Sequence, residues 1–141
     1  MISTQSRRPG NRAAIDAEVK RISGRRIEEQ RRDRRMTQKQ LAVQIGISVR
    51  WLREVESGSP KSRFDDHMRC ADGLGLSGSH IYLPMLFLER KMHFPRQIFD
   101  GNMDELEVDC IEFIASYRLK PFVRSIRIPP ADEDDDDDTE D

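Results

Sequence analysis

A chain of 141 residues with 35% charged and 6% aromatic residues fits one ordinary domain, or a small domain with an accessory segment, and excludes a large dense core. Its two cysteines, Cys70 and Cys110, lie in apolar-patterned helices without paired spacing, which suits a reducing cytoplasm rather than a disulfide scaffold. The polar, basic N-terminus has no apolar signal core, and the most apolar run, Ile81 to Leu88, is too short to span a bilayer and contains Pro84. A soluble, cytoplasmic chain with no membrane partner is expected.

The net charge of −2 conceals a split. Residues 1–70 hold 17 Lys and Arg against 9 Asp and Glu, a net of +8, whereas residues 71–141 hold 7 against 17, a net of −10. Asp132 to Asp141 alone contributes −9. A bulk isoelectric point near 6 argues against a polyanionic partner, but clustering of the basic residues reverses that reading.

In chain order, residues 1–12 carry Arg7, Arg8 and Arg12 with Pro9 and Gly10 and read as a disordered basic arm. From Ala13 to about Met36 the pattern is helical, with Ile15, Val19, Ile22 and Ile27 as a buried stripe and Ser23-Gly24 as a possible break. A second helix is predicted over Gln38–Ile45 behind the N-cap Thr37, with Leu41, Ala42 and Ile45 facing inward. Gly46 supplies the left-handed residue of a tight turn, and Ser48 caps a third helix over Val49–Glu56, whose Leu52 and Val55 point inward. Gly58 ends that helix. A fourth is predicted over Arg63–Leu74, stopped by Gly75, and a short helix or partly irregular apolar segment over His80–Lys91. Asp100-Gly101-Asn102 is a turn and helix start. Leu106, Cys110, Phe113, Ile114 and Tyr117 then form an amphipathic stripe on a last helix ended by Pro121, and the chain from Pro129 reads as a disordered acidic tail.

Two short helices joined by such a turn are the helix-turn-helix, whose second helix fits a DNA major groove. Further marks stand in register with it: Gly24-Arg25-Arg26-Ile27, Arg31, Thr37-Gln38, Leu41-Ala42, Gly46-Ile47-Ser48, Glu56, Gly58, and Ala71 with Leu74-Gly75-Leu76. From about Ile22 to Leu76 the chain resembles the Cro/cI (XRE) family of helix-turn-helix regulators, and Gly58 to Phe64 resembles the HipB-type antitoxin branch. The resemblance implies an all-α fold: a five-helix domain over 13–77, followed by a helical extension over 78–128 and the acidic tail at 129–141. Two departures concern packing. His67 falls where the family has an apolar core residue, and Gly73 replaces the usual alanine at a helix cost of up to ~1 kcal/mol.

The residues left facing outward on the third helix are Val49, Arg50, Arg53 and Glu54. Arg50 can take guanine O6 and N7 together, Glu54 can accept from a cytosine amine or pair with Arg50 at i,i+4, Val49 can meet a thymine methyl, and Arg53 serves a base or a phosphate. Gln38, Lys39, Ser48, Lys61 and Arg63 are assigned to phosphates. For Gln38 this role follows from the resemblance, supported by its place at a helix N-terminus. The resemblance also implies that Arg31 and Glu56 form a structural pair. Trp51 is expected at the core or its edge. The 1–12 arm either follows phosphates or a minor groove, or stays a solvated tail. The acidic tail aids solubility, competes with DNA for the basic face, or docks on a basic partner.

The Leu106, Cys110, Phe113, Ile114 and Tyr117 stripe is expected either to form a dimer interface or to pack on the first domain. No catalytic residue, metal site or cofactor is expected: His67 and Cys70 stand at i,i+3, but no second ligand pair follows. The leading reading is a homodimeric DNA-binding regulator, by default a repressor, working without enzymatic activity on double-stranded DNA. The alternatives are an antitoxin with a toxin partner and a protein–protein adaptor that kept the fold. RNA polymerase is a further possible partner.

Overall fold

The computed structural model describes residues 11–119. Its helices are α1 (Arg12–Asp33), α2 (Gln38–Ile45), α3 (Val49–Glu56), α4 (Phe64–Gly73), α5 (Ser79–Glu89) and α6 (Met103–Arg118), with a 3₁₀ turn at Arg96–Phe99. There is no strand among the described residues, so the fold is all-helical. Most of the basic arm and all of the acidic tail lie outside the described residues. Arg12, assigned to the arm, opens α1 and pairs there with Asp16 at 3.0 Å. No described helix is long and apolar enough to cross a membrane.

The described residues fall into two compact units, one up to Ile98 and one from Phe99 onward. Within the first unit α5 packs along α1. Pro84 stands inside α5, a buried residue in an unbroken helix rather than an irregular segment. The core of this unit gathers Ile27, Leu41, Ala42, Leu52, Val55, Cys70 and Leu74 from α1 to α4 and the residue after it, with Met36, Ile45, Ile47, Val49 and Leu76 against them. Burial pushes the Cys70 thiol up to about 12, so it behaves as a core group rather than a nucleophile.

α1 continues without a break through Ser23 and Gly24. The reason lies on the neighbouring helix. A Cβ at Gly24 would collide with the Val55 carbonyl oxygen and stand 2.7 Å from that of Glu56. The bare Cα is what allows α1 to cross the end of α3 at backbone contact. Gly73 has a similar account: a Cβ there would fall 2.6 Å from Ile45 Cγ2. The missing methyl weakens α4 but lets it meet α2 closely.

His67 is fully buried, and it is not an apolar substitute. Its Nδ1 lies 2.8 Å from Ser23 Oγ and its Nε2 lies 2.9 Å from Ser62 Oγ. His80 of α5 reaches the same Ser23 hydroxyl through Nε2 at 2.9 Å. Burial is the main influence on His67, with the positive charges of a protonated His80 and of Lys20 adding to it against Asp66, and its pKa falls to about 4. Burial also lowers His80.

Both rings are thus held neutral in the fold, whereas unfolded histidine takes up a proton near pH 6.5. Their contribution to stability is complete above about 6.5 and is lost as pH falls toward about 4. Thermal melts between pH 7.5 and 5.5, a window that precedes carboxylate protonation, should show a falling midpoint, with a smaller fall in His67→Gln. A midpoint flat across that window in the wild type would refute the assignment.

Candidate nucleic-acid interface

The helix-turn-helix is assembled from local chemistry. At the start of α2 the Thr37 hydroxyl accepts from Gln40 N at 3.1 Å, and Gln40 Oε1 accepts from Thr37 N at 2.8 Å, a reciprocal capping box. Gly46, at φ 74°, ends α2 in the left-handed region. Its N–H and that of Ile47 both donate to the Ala42 carbonyl, at 2.9 and 3.0 Å, which closes the turn. Ser48 then caps α3 by accepting from Trp51 N at 3.0 Å.

On α3, Leu52, Val55 and Glu56 are buried, Arg50 and Arg53 are exposed, and Glu54 and Trp51 are half-buried. Val49 sits at the edge: it is half-buried and packs against the core cluster. The outward face is therefore centred on Arg50 and Arg53, with Glu54 and Val49 at its margins. Among the described residues Arg50 and Glu54 form no ion pair. Ser57, which sequence reasoning passed over, shares this face; its exposed hydroxyl donates to the Glu54 carbonyl at 3.0 Å. Helical phase with Arg53 was the signal that could have found it.

Beneath this face runs a bonded network. Arg31 of α1 and Glu56 of α3 form an ion pair with side chains 8% and 4% exposed. Arg31 Nε donates to Oε1 at 2.5 Å, and Arg31 Nη1 donates to the Met36 carbonyl at 2.8 Å. Gln38 Nε2 donates to Glu56 Oε2 at 2.6 Å, and Gln38 Oε1 accepts from Arg53 Nε at 3.2 Å. Gln38, assigned to a phosphate, thus commits one amide N–H and its amide oxygen to the protein and retains a second N–H. It links the buried pair to an exposed arginine of the outward face.

The flanking cations are placed differently. Lys39 and Lys61 are exposed, and Arg63 is exposed with Asp65 3.6 Å from its guanidinium. That pair is solvated on both sides and contributes little. The loop carrying Lys61 is tied down by Lys20 Nζ, which donates to the Pro60 carbonyl at 3.2 Å. Arg35 adds an exposed cation just before α2, at φ 56°. Arg69 donates to the Ile45 carbonyl at 2.6 Å and so supports the end of α2. Nothing in the local sequence marks that tertiary contact.

The dimer stripe lies on α6, whose N-cap Asn102 accepts from Glu105 N at 3.1 Å. Phe113, Ile114 and Tyr117 are 71%, 63% and 70% exposed, whereas Leu106 and Cys110 are half-buried. The Phe113 and Tyr117 rings stack at 6.3 Å between centroids. No group of three or more His, Cys, Asp or Glu side chains among the described residues is placed to hold a metal ion.

A capped helix pair about a left-handed glycine, with two arginines outward on the second helix, defines a helix-turn-helix DNA-binding domain. Residues 24–81 match a family model described as a helix-turn-helix domain. This part of the chain is a helix-turn-helix domain of the Cro/cI (XRE) type, and the protein is a DNA-binding regulator in general terms. No curated protein and no solved structure matches the chain.

Because the buried pair joins α1 to α3, Glu56→Ala should lose about 3–5 kcal/mol of stability by stranding Arg31. Urea denaturation measures this, and a loss under 1 kcal/mol would show that the pair is not buried in solution.

Proposed function

We propose that the protein is a sequence-specific transcriptional repressor that occupies an operator as a homodimer, with α3 in the major groove. The observation that carries the reading is the state of Arg50. It is exposed on the outward face, and its side chain makes no hydrogen bond or ion pair among the described residues, so it can turn to a guanine edge at no cost in protein contacts. Arg53, Glu54 and Val49 complete the base-facing set. Lys39, Lys61, Arg63 and Ser48 serve phosphates, each exposed beside the motif. Gln38 gives one amide N–H to Glu56 and keeps its second N–H for a phosphate. Repression follows from occupancy alone, since a bound promoter is closed to polymerase.

The second copy is argued from symmetry and from exposed apolar surface. Operators read by this motif are two-fold, with half-sites about 10 bp apart. Phe113, Ile114 and Tyr117, with half-buried Leu106 and Cys110, offer the self-complementary patch that such a dimer needs.

The test is binding to DNA from upstream of the gene beside unrelated DNA of equal length, at two salt concentrations. Preference for the upstream fragment should persist at higher salt and disappear in Arg50→Ala, whereas Lys61→Ala should weaken both fragments alike and reduce the salt slope by about 1. Equal, salt-labile binding to both fragments would contradict operator recognition.

Sedimentation should show a dimer that Phe113→Glu with Tyr117→Glu converts to a monomer, with the melting of the first unit unchanged. A monomeric wild type would remove α6 from the account.

A further inference from the structure

One continuous line of hydrogen-bond contacts crosses the first unit from the loop after α3 to the start of α5. It runs from the Ser59 carbonyl through the Ser62 hydroxyl, the His67 ring, the Ser23 hydroxyl and the His80 ring to the Ser77 carbonyl. The five contacts measure 2.6, 2.9, 2.8, 2.9 and 2.8 Å in that order. None of the four side chains is more than 2% exposed.

Counting protons along the line gives an imbalance. Both ends are carbonyl oxygens, which only accept. Each serine hydroxyl and each neutral imidazole brings one proton, so the four side chains bring four protons to five contacts. In the neutral state one contact is always a lone pair facing a lone pair. Its position sets the tautomers: when it lies on the Ser62 side of His67, that ring carries Nδ1–H, and otherwise Nε2–H. One further proton on either ring closes every contact. A second would leave a buried donor without an acceptor.

We propose that this line is an acceptor for a single proton, which in acid fastens the loop of Lys61 and Arg63 to α1 and α5. The charges around it set the range. Lys20 and Arg26 on α1 oppose a proton on the rings, each ring opposes a proton on the other, and Asp66 on α4 favours one. Burial keeps uptake below neutral pH. The loop ends the line, because Ser62 meets the Ser59 carbonyl through both its amide, at 3.0 Å, and its hydroxyl. Any effect on DNA rests on the proposed interface; the proton uptake does not, so the two can fail separately.

Removing Ser62 removes the imbalance. In Ser62→Ala three contacts remain, from His67 Nδ1 to the Ser77 carbonyl, and the neutral side chains supply three protons for them. Long-range proton–nitrogen correlation spectra of the full chain, from pH 7.5 downward, read the protonation and tautomer of both rings. The pair should gain one proton in wild type and in Ser62→Thr with about tenfold higher affinity than in Ser62→Ala. Equal affinity in all three, or two rings that titrate independently, overturns the proposal. Should the fold melt before the rings titrate, the tautomers at pH 7.5 decide. Averaged His67 nitrogens in wild type and a fixed Nδ1–H in Ser62→Ala support it. Nε2–H on His67 in Ser62→Ala overturns it.

Discussion

The ion pair between Arg31 and Glu56 is the contact on which the arrangement of the DNA-facing helix depends. Glu56 is the last residue of α3 and Arg31 lies in the last turn of α1. Their side chains meet almost out of solvent, where a lone carboxylate would be costly. The guanidinium also donates to the Met36 carbonyl, just before α2, so one side chain connects three helices. Packing at Gly24 and the pair at Arg31 hold α1 and α3 together by different means: a close backbone crossing and a charge that tolerates no displacement.

That connection reaches the surface. Gln38 passes the order of the buried pair to Arg53, whose guanidinium is held from beneath while Arg50 beside it is left free to rotate. In the proposed reading, a face with one arginine fixed and one adaptable combines orientation on the duplex with choice among base edges. The same geometry explains why Gln38 differs from Lys39 next to it: its amide is half-buried and anchored to Glu56 and Arg53, whereas Lys39 is exposed. The domain match across residues 24–81 covers this whole network.

Much of the motif was legible in the sequence because it is local. Thr37, Gly46, Ser48 and Asn102 act through residues at most five positions away, so their spacing alone located α2, the turn, and the starts of α3 and α6. What was illegible is tertiary. Ser23-Gly24 resembled a break because the carbonyls of Val55 and Glu56 that require a bare Cα come from another helix. His67 stood out as a departure and as half of an incomplete ligand pair, since the Ser23 and Ser62 hydroxyls that meet it come from another helix and from the preceding loop. The 3₁₀ turn at Arg96–Phe99 is too short to show a period. The sequence left His80–Lys91 open between a short helix and an irregular segment, and α5 carries Pro84 there as a buried residue. For the base-facing set, helical phase separated outward from inward residues, but it could not show that Val49 leans on the core.

The central claim is that Arg50 on α3 reads a base. Selection of bound sequences from random duplex DNA, carried out with the wild type and with Arg50→Ala, tests it most directly. The account predicts a two-fold motif from the wild type with a guanine in each half-site, and loss of that guanine alone in the variant. The same motif from both proteins, or no enriched motif from the wild type, would contradict it.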